Sequence, residues 1–269
     1  LSDMTTSTRN TAVGTYSGTD VTTASDNTLL GYYAGFKVTT GGGNTAVGSY
    51  SLDALTTGYY NNAVGEHAAT SLTTGTHNVA MGCGALGSCV SGAGNTAIGQ
   101  DALNDYTGDF NTAVGYQAMI NATTGVGNVA VGGQCMIEAV TGACNVGMGY
   151  SALRSVTSGT RHVAIGYDAG RSITTASDNT VIGYYSGDSL TTGGYNVCVG
   201  KGAGHTITSG ANNIMVGVDT HPDNASTGDT QVVIGYSIQG KGNSTAYIRS
   251  DSGAYKSDNT SSWSTTSDR

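Results

Sequence analysis

At fourteen regularly spaced places along the chain an aliphatic residue or methionine stands directly before a glycine: Val13, Leu30, Val47, Val64, Met81, Ile98, Val114, Val131, Met148, Ile165, Ile182, Val199, Val216 and Ile234. The glycines, running from Gly14 to Gly235, are 17 residues apart, except for one step of 16 (Gly99 to Gly115) and one of 18 (Gly217 to Gly235). Two positions before each aliphatic residue comes Thr or another aliphatic, as at Thr11, Thr28, Val79, Val129, Val163 and Ile214, with Asn62 the exception. Side chains alternate along a strand, so these two columns share one face. As the larger apolar residues they are expected to point into the core. The small residues between them, Ala12, Ala46, Ala63, Ala80, Ala97, Ala113, Ala130, Gly147 and Ala164, are then expected to face outward. A 17-residue period is too short for a two-helix repeat or a propeller blade and suits one coil of a solenoid. The pattern therefore predicts an all-β fold: a parallel β-solenoid, or β-roll, of about 14 coils over residues 10–238. Residues 1–9 lead in, and 239–269 form a C-terminal segment outside the repeat.

Polar columns share the period. Asn opens nearly every unit (Asn10, Asn27, Asn44, Asn61 and onward to Asn213), with His162 and Gln231 in two places. Stacked amides hydrogen-bond along a fibre axis, which makes the column a structural ladder; a row of amides reading a sugar is the alternative. Thr-Thr-Gly recurs at Thr39–Gly41, Thr56–Gly58, Thr73–Gly75, Thr123–Gly125 and Thr191–Gly193 and marks a second turn, where Gly is expected to supply a positive φ. The outward alanine face is either solvent-facing small residues or a surface where identical coils pack, and a second small column (Ala34, Ala68, Ala85, Ala102, Ala118, Ala152, Ala169, Ala203) favours packing. Thin coils enclose little volume, so three chains about an axis would bury far more apolar surface than one. A homotrimer is expected.

Composition narrows the function. Glycine at 43 of 269 residues, with one Pro, one Trp and two Phe, describes repeated turns rather than a globular core. A net charge of −8 argues against nucleic acid as a partner. No stretch of 18 apolar residues is present, so no membrane insertion is expected, nor is a signal peptide expected from the polar start. The chain reads as cut from a longer protein. Cys83, Cys89, Cys135, Cys144 and Cys198 lack a metal-like spacing. Cys135 and Cys198 fall in small or aliphatic columns, while a bridge between Cys83 and Cys89 or between Cys135 and Cys144 stays open.

The phrase Asn111-Thr-Ala-Val-Gly-Tyr-Gln-Ala118, echoed at His162–Ala169, resembles the heads of trimeric autotransporter adhesins, and similar repeats occur in phage and viral fibres. The resemblance implies a left-handed, homotrimeric roll, although those heads use a shorter coil. The ending, Trp263-Ser-Thr-Thr-Ser-Asp-Arg269, resembles the junction before an endosialidase-type intramolecular chaperone, which implies processing at Ser267–Asp268. The implied function is a structural and adhesive fibre: a phage or viral tail-fibre shaft in the virion, extracellular, that binds a host cell-surface glycan or protein receptor. A bacterial surface adhesin of the same fold is the alternative.

Catalysis is not expected, nor any cofactor or metal. A glycan-cleaving site needs two carboxylates about 5 to 10 Å apart, and in a solenoid these should share a column in nearby coils. Asp101 and Asp168 share a column four coils apart, Asp26 and Asp178 nine coils apart, and Glu66 and Glu138 are the only glutamates. The five histidines are scattered. An ice-binding surface would want Thr-x-Thr rows, whereas the threonines here are adjacent. Tyrosine is more informative. Tyr16, Tyr33, Tyr50 and His67 share one position in four consecutive coils, and Tyr150, Tyr167 and Tyr184 form a second run one position earlier. Such rows either bind a receptor by stacking on it or stack on one another to support the coil.

Overall fold

The computed structural model describes residues 5–223, 227–249, 254–256 and 264–265. The junction at Ser267–Asp268 lies outside the described residues. The chain is an all-β parallel solenoid of about 14 coils, and no helix occurs among the described residues. It divides into two compact units, Leu1–Thr141 and Gly142–Arg269.

The first unit carries one three-residue strand per coil: β1 (Thr11–Val13), β2 (Thr28–Leu30), β3 (Thr45–Val47), β4 (Asn62–Val64), β5 (Val79–Met81), β6 (Thr96–Ile98), β7 (Thr112–Val114) and β8 (Val129–Val131). Each pairs with the next in parallel, without slippage, so that Thr45 meets Asn62 and Val47 meets Val64. The second unit repeats the plan with β9 (Val146–Met148), β10 (Val163–Ile165), β11 (Thr180–Ile182), β12 (Val197–Val199), β13 (Ile214–Val216) and β14 (Val232–Ile234). Parallel pairing continues one strand beyond the sequence repeat, into β15 (Ala246–Ile248), which then pairs antiparallel with β16 (Ala254–Lys256). A last strand, β17 (Ser264–Thr265), pairs antiparallel with β16.

The strands face the opposite way from the sequence expectation. Ala46, Ala63, Ala80, Ala97, Ala113, Ala130 and Ala164 are fully buried or nearly so, while Val13, Val64, Met81, Ile98, Met148 and Ile165 are exposed. Alternation settles only that two columns share a face. The choice of face is made by the space available. A coil with a single short strand is narrow, and the wall opposite the strand already supplies large side chains: Leu52, Leu86, Leu103, Met119, Met136 and Leu153, with Leu55, Leu72, Val156, Ile173 and Leu190 beyond them. Where that wall is large, as at Leu52 or Leu103, only a small residue fits between. The second small column, Ala34 to Ala203, is likewise inside rather than on an outer packing face.

The asparagine ladder is buried in both units. In a full rung the side-chain carbonyl accepts two bonds and the side-chain amide donates two. Asn44 Oδ1 accepts from the Asn61 backbone N–H at 2.9 Å and from Asn61 Nδ2 at 3.1 Å. Asn61 Nδ2 also donates to the Gly75 carbonyl at 2.8 Å, tying the strand's entry to the Thr-Thr-Gly turn of the next coil. The first threonine of that turn forms its own ladder, as in Thr39 Oγ1 to the Thr56 carbonyl at 3.1 Å. These rungs satisfy buried polar groups that a turn would otherwise strand.

Glycine has different reasons at the two turns. After the strand, Gly31 holds φ +142°, and a Cβ there would lie 2.5 Å from the Gly48 carbonyl oxygen, so both handedness and space demand glycine. The Thr-Thr-Gly glycines do not have the positive φ expected from the sequence. Gly41 is required by close approach alone: a Cβ would collide with the Gly58 carbonyl of the coil above.

None of the five cysteines is in a disulfide, and neither bridge left open by the sequence is formed. Cys135 and Cys198 pack as small apolar residues, and burial pushes both thiols up to about 12.

Candidate functional site

The two tyrosine runs form as aligned, and their geometry bears on how they are used. Tyr33 and Tyr50 stack with centroids 5.5 Å apart and planes at 17°, and Tyr50 stacks on His67 at 5.1 Å and 2°. Tyr16 is tilted against Tyr33 at 4.9 Å. In the second unit Tyr150, Tyr167 and Tyr184 stack at 5.5 and 5.4 Å. The spacing follows from the parallel register, which places equivalent residues about one strand spacing apart. Ring faces inside a run therefore cover each other and leave mainly edges to solvent. A free aromatic face is available only where a run stops.

The first unit's run, Tyr33, Tyr50 and His67, holds left-handed φ values between 56° and 57°, and Tyr185 of the second unit occupies the same column at 54°. This column lies on a tight bend, and it is occupied by whatever side chain the coil supplies. At Gly84 and Gly202 it supplies none. In both places the residue one coil on is an aspartate, Asp101 or Asp219, whose carboxylate leans over the glycine. In both places the residue one coil back is a ring, His67 or Tyr185.

At Gly202 the missing side chain leaves a cleft of about 330 Å³, lined by Tyr184, Tyr185, Asp188, Lys201, Gly202, His205 and Asp219. Tyr184 and Tyr185 meet edge to face at 4.4 Å and 90°. The His205 ring is held by its Nδ1 against the Gly202 carbonyl at 2.7 Å. Burial raises the Asp188 carboxyl above the usual carboxylate range, with His205 and Arg171 acting in the other direction.

A second cleft, of about 420 Å³, lies in the first unit at the other turn, lined by Thr23, Ser25, Asp26, Thr40, Gly42, Gly43, Tyr59 and Tyr60. It exists because residues 41–43 are consecutive glycines between coils that carry Ser25-Asp26 and Tyr59-Tyr60. Its carboxylate is already committed. Arg9 donates to Asp26 through Nε and Nη2 at 2.5 and 2.7 Å, and this bidentate pair holds the Asp26 carboxyl below its ordinary range. The second unit repeats the pair as Arg161 with Asp178, at 2.6 and 2.8 Å.

Of the candidate residues, only Tyr184 lines either cleft. Tyr16, Tyr33, Tyr50, His67, Tyr150 and Tyr167 belong to the stacked runs. Asp188, Lys201, His205 and Asp219 escaped the sequence reading because acids were sought within one column, whereas this cleft gathers three columns around a gap. Gly202, a glycine in a column otherwise held by side chains, was the available signal. Among the described residues no group of three or more His, Cys, Asp or Glu is placed to hold a metal ion.

Comparisons with known protein families, with curated proteins and with solved structures find no match to this chain.

Proposed function

We propose that this chain is a segment of a homotrimeric, left-handed β-roll fibre: a structural and adhesive shaft of a virion tail fibre that contacts a host cell-surface receptor. One observation carries the reading. On the outer face of the sheet, each coil presents an aliphatic residue or methionine directly before its turn glycine. In the first unit Val13, Val64, Met81 and Ile98 remain between 37 and 63% exposed. The second unit presents Met148, Ile165, Ile182, Val199 and Ile234 in the same column. Soluble monomers rarely leave a long, regular apolar stripe uncovered. An in-register stripe can pair with the same stripe on another copy, and three such faces around one axis enclose it. The support for trimerisation is thus this stripe, and not the alanine columns, which lie inside the coil.

Sedimentation equilibrium tests the assembly: a particle of three 26.9 kDa chains is expected, and a folded monomer overturns it. Mass spectrometry of purified virions and of bacterial outer membranes tests the location. Recovery from membranes and not from virions would replace the fibre with a cell-anchored adhesin.

A further inference from the structure

We infer that the cleft at Gly202 is a saccharide-binding site that takes a single pyranose ring against the Tyr184 and Tyr185 pair, with Asp219 and Asp188 accepting hydrogen bonds from its hydroxyls. The inference rests on the receptor-binding reading above and gives it a place and a ligand class.

Three features of the cleft combine to this end. The first is the end of an aromatic run. Tyr150, Tyr167 and Tyr184 cover one another, but the next coil has Lys201 in the same column and Gly202 beside it, so Tyr184 and Tyr185 line an open space. A sugar ring presents C–H bonds on one side and binds to such a surface by stacking, at low entropic cost to the protein. The second is the polar lining. Carboxylates are acceptor-only groups with room for two hydroxyl donors each, Lys201 supplies a donor for ring or glycosidic oxygens, and His205, whose Nδ1–H is committed to the Gly202 carbonyl, offers Nε2 as a further acceptor. The third is size. About 330 Å³ lies at the small end of ligand clefts and suits one ring rather than a long chain.

The same arrangement of ring, glycine and aspartate recurs in the first unit as His67, Gly84 and Asp101, with the Asp101 carboxylate over Gly84 at 2.5 Å from where a Cβ would stand. Two independent coils thus omit a side chain beside an aromatic ring and follow it with aspartate.

The test is saturation-transfer NMR of the intact chain with the methyl glycosides of glucose, galactose, mannose and N-acetylglucosamine at tens of millimolar. At least one is expected to bind, with Kd in about the millimolar range set by so small a ligand. Gly202→Tyr is expected to weaken that binding at least tenfold. Its backbone suits the change, because the column already carries Tyr50 and His67 at φ 57° and 56°, close to the 63° of Gly202, and the nearest atom in its way is the end of the Asp219 carboxylate, which can swing aside; circular dichroism of the variant checks the fold. Asp219→Asn, which keeps the shape and removes the charge, should weaken binding less. Absence of transfer from all four sugars overturns the site, as does a Gly202→Tyr protein that binds like the wild type. Sedimentation on the same samples separates the two readings: a trimer that binds no sugar loses only this site, and a monomer that binds sugar loses only the fibre.

Discussion

Leu29 fills the space that a side chain on Gly35 would need: a Cβ at Gly35 would stand 2.5 Å from Leu29 Cδ2. The relationship recurs at Val181 and Gly187, where the distance to Cγ1 is 2.7 Å, and at Cys198 and Gly204. Coils with alanine in the strand do the reverse, as at Ala46 with Leu52 and Ala97 with Leu103, all fully buried. These coils therefore balance their own volume, one large residue to one small, across the narrow interior.

The balance predicts strong coupling in a double-mutant cycle. Gly35→Leu alone overpacks the coil and should cost about 1 to 3 kcal/mol. Leu29→Ala alone leaves a cavity and should cost about 2 to 5 kcal/mol. Together they recreate the neighbouring Ala46 and Leu52 arrangement, and the pair should cost clearly less than the sum when read from urea midpoints. Additive losses would mean that the two sites do not share one space.

The buried amide column should be as demanding as the core. Asn61→Ala removes the donor to Asn44 Oδ1 and Gly75 and the acceptor for Asn78, whose backbone N–H and Nδ2 reach Asn61 Oδ1 at 3.1 and 3.0 Å. Leaving these groups unpaired should cost about 2 to 4 kcal/mol. Asn61→Asp keeps the shape but sets acceptor against acceptor and buries a charge, so its thermal midpoint should fall further than that of the alanine variant. An aspartate variant as stable as the wild type would show that the ladder tolerates water.

Much of this architecture is legible in the sequence, because a solenoid writes its period directly into the chain: Gly14 to Gly235 set the coils, and Asn10 to Asn213 the ladder. What misled was direction. The alternation of Thr45, Ala46 and Val47 is compatible with either face inward, and only the far wall, where Leu52 and Leu55 stand, excludes the larger pair. That wall is closed by turns whose path depends on left-handed residues such as Tyr50 and Leu52, at φ 57° and 49°, and short-range propensity does not announce them. The candidate cleft was hidden for a related reason. It is made by a side chain that is missing at Gly202, while a search for chemistry looks for side chains that are present.

His162 makes the ladder sensitive to acid. It replaces an asparagine, and its Nδ1 accepts the Asn179 backbone N–H at 3.2 Å while its Nε2 donates to the Ala176 carbonyl at 2.8 Å. Both bonds are made by the neutral ring with its proton on Nε2. Burial is the largest cause of a pKa lowered below the usual 6.5, with the hydrogen bond to the Ala176 carbonyl and Asp178 opposing it. As pH falls below 6.5 the unfolded chain takes up a proton that the folded one refuses, so stability declines until the folded pKa has also been passed and then levels off. His162→Asn should flatten this part of the pH–stability curve. An unchanged slope between the wild type and the variant would assign the acid sensitivity to other groups.

The exposed stripe offers the sharpest test of assembly, because its residues contribute little to the coil that carries them. Met81 and Ile98 are paired neighbours on β5 and β6, 44 and 37% exposed, with side chains on the outer face. Substituting both with lysine leaves the inner residues Ala80 and Ala97 untouched, so the strand content seen by circular dichroism should stay as in the wild type. Six ammonium groups facing one axis in a trimer would have to shed their water without partners, at a cost far above that of a solvent-facing lysine. The double variant should therefore sediment as a monomer under conditions where the wild type is trimeric, and added salt should restore little, because desolvation and not long-range repulsion is the main penalty. A Met81→Lys, Ile98→Lys protein that still assembles would place the threefold contact on another face of the coil.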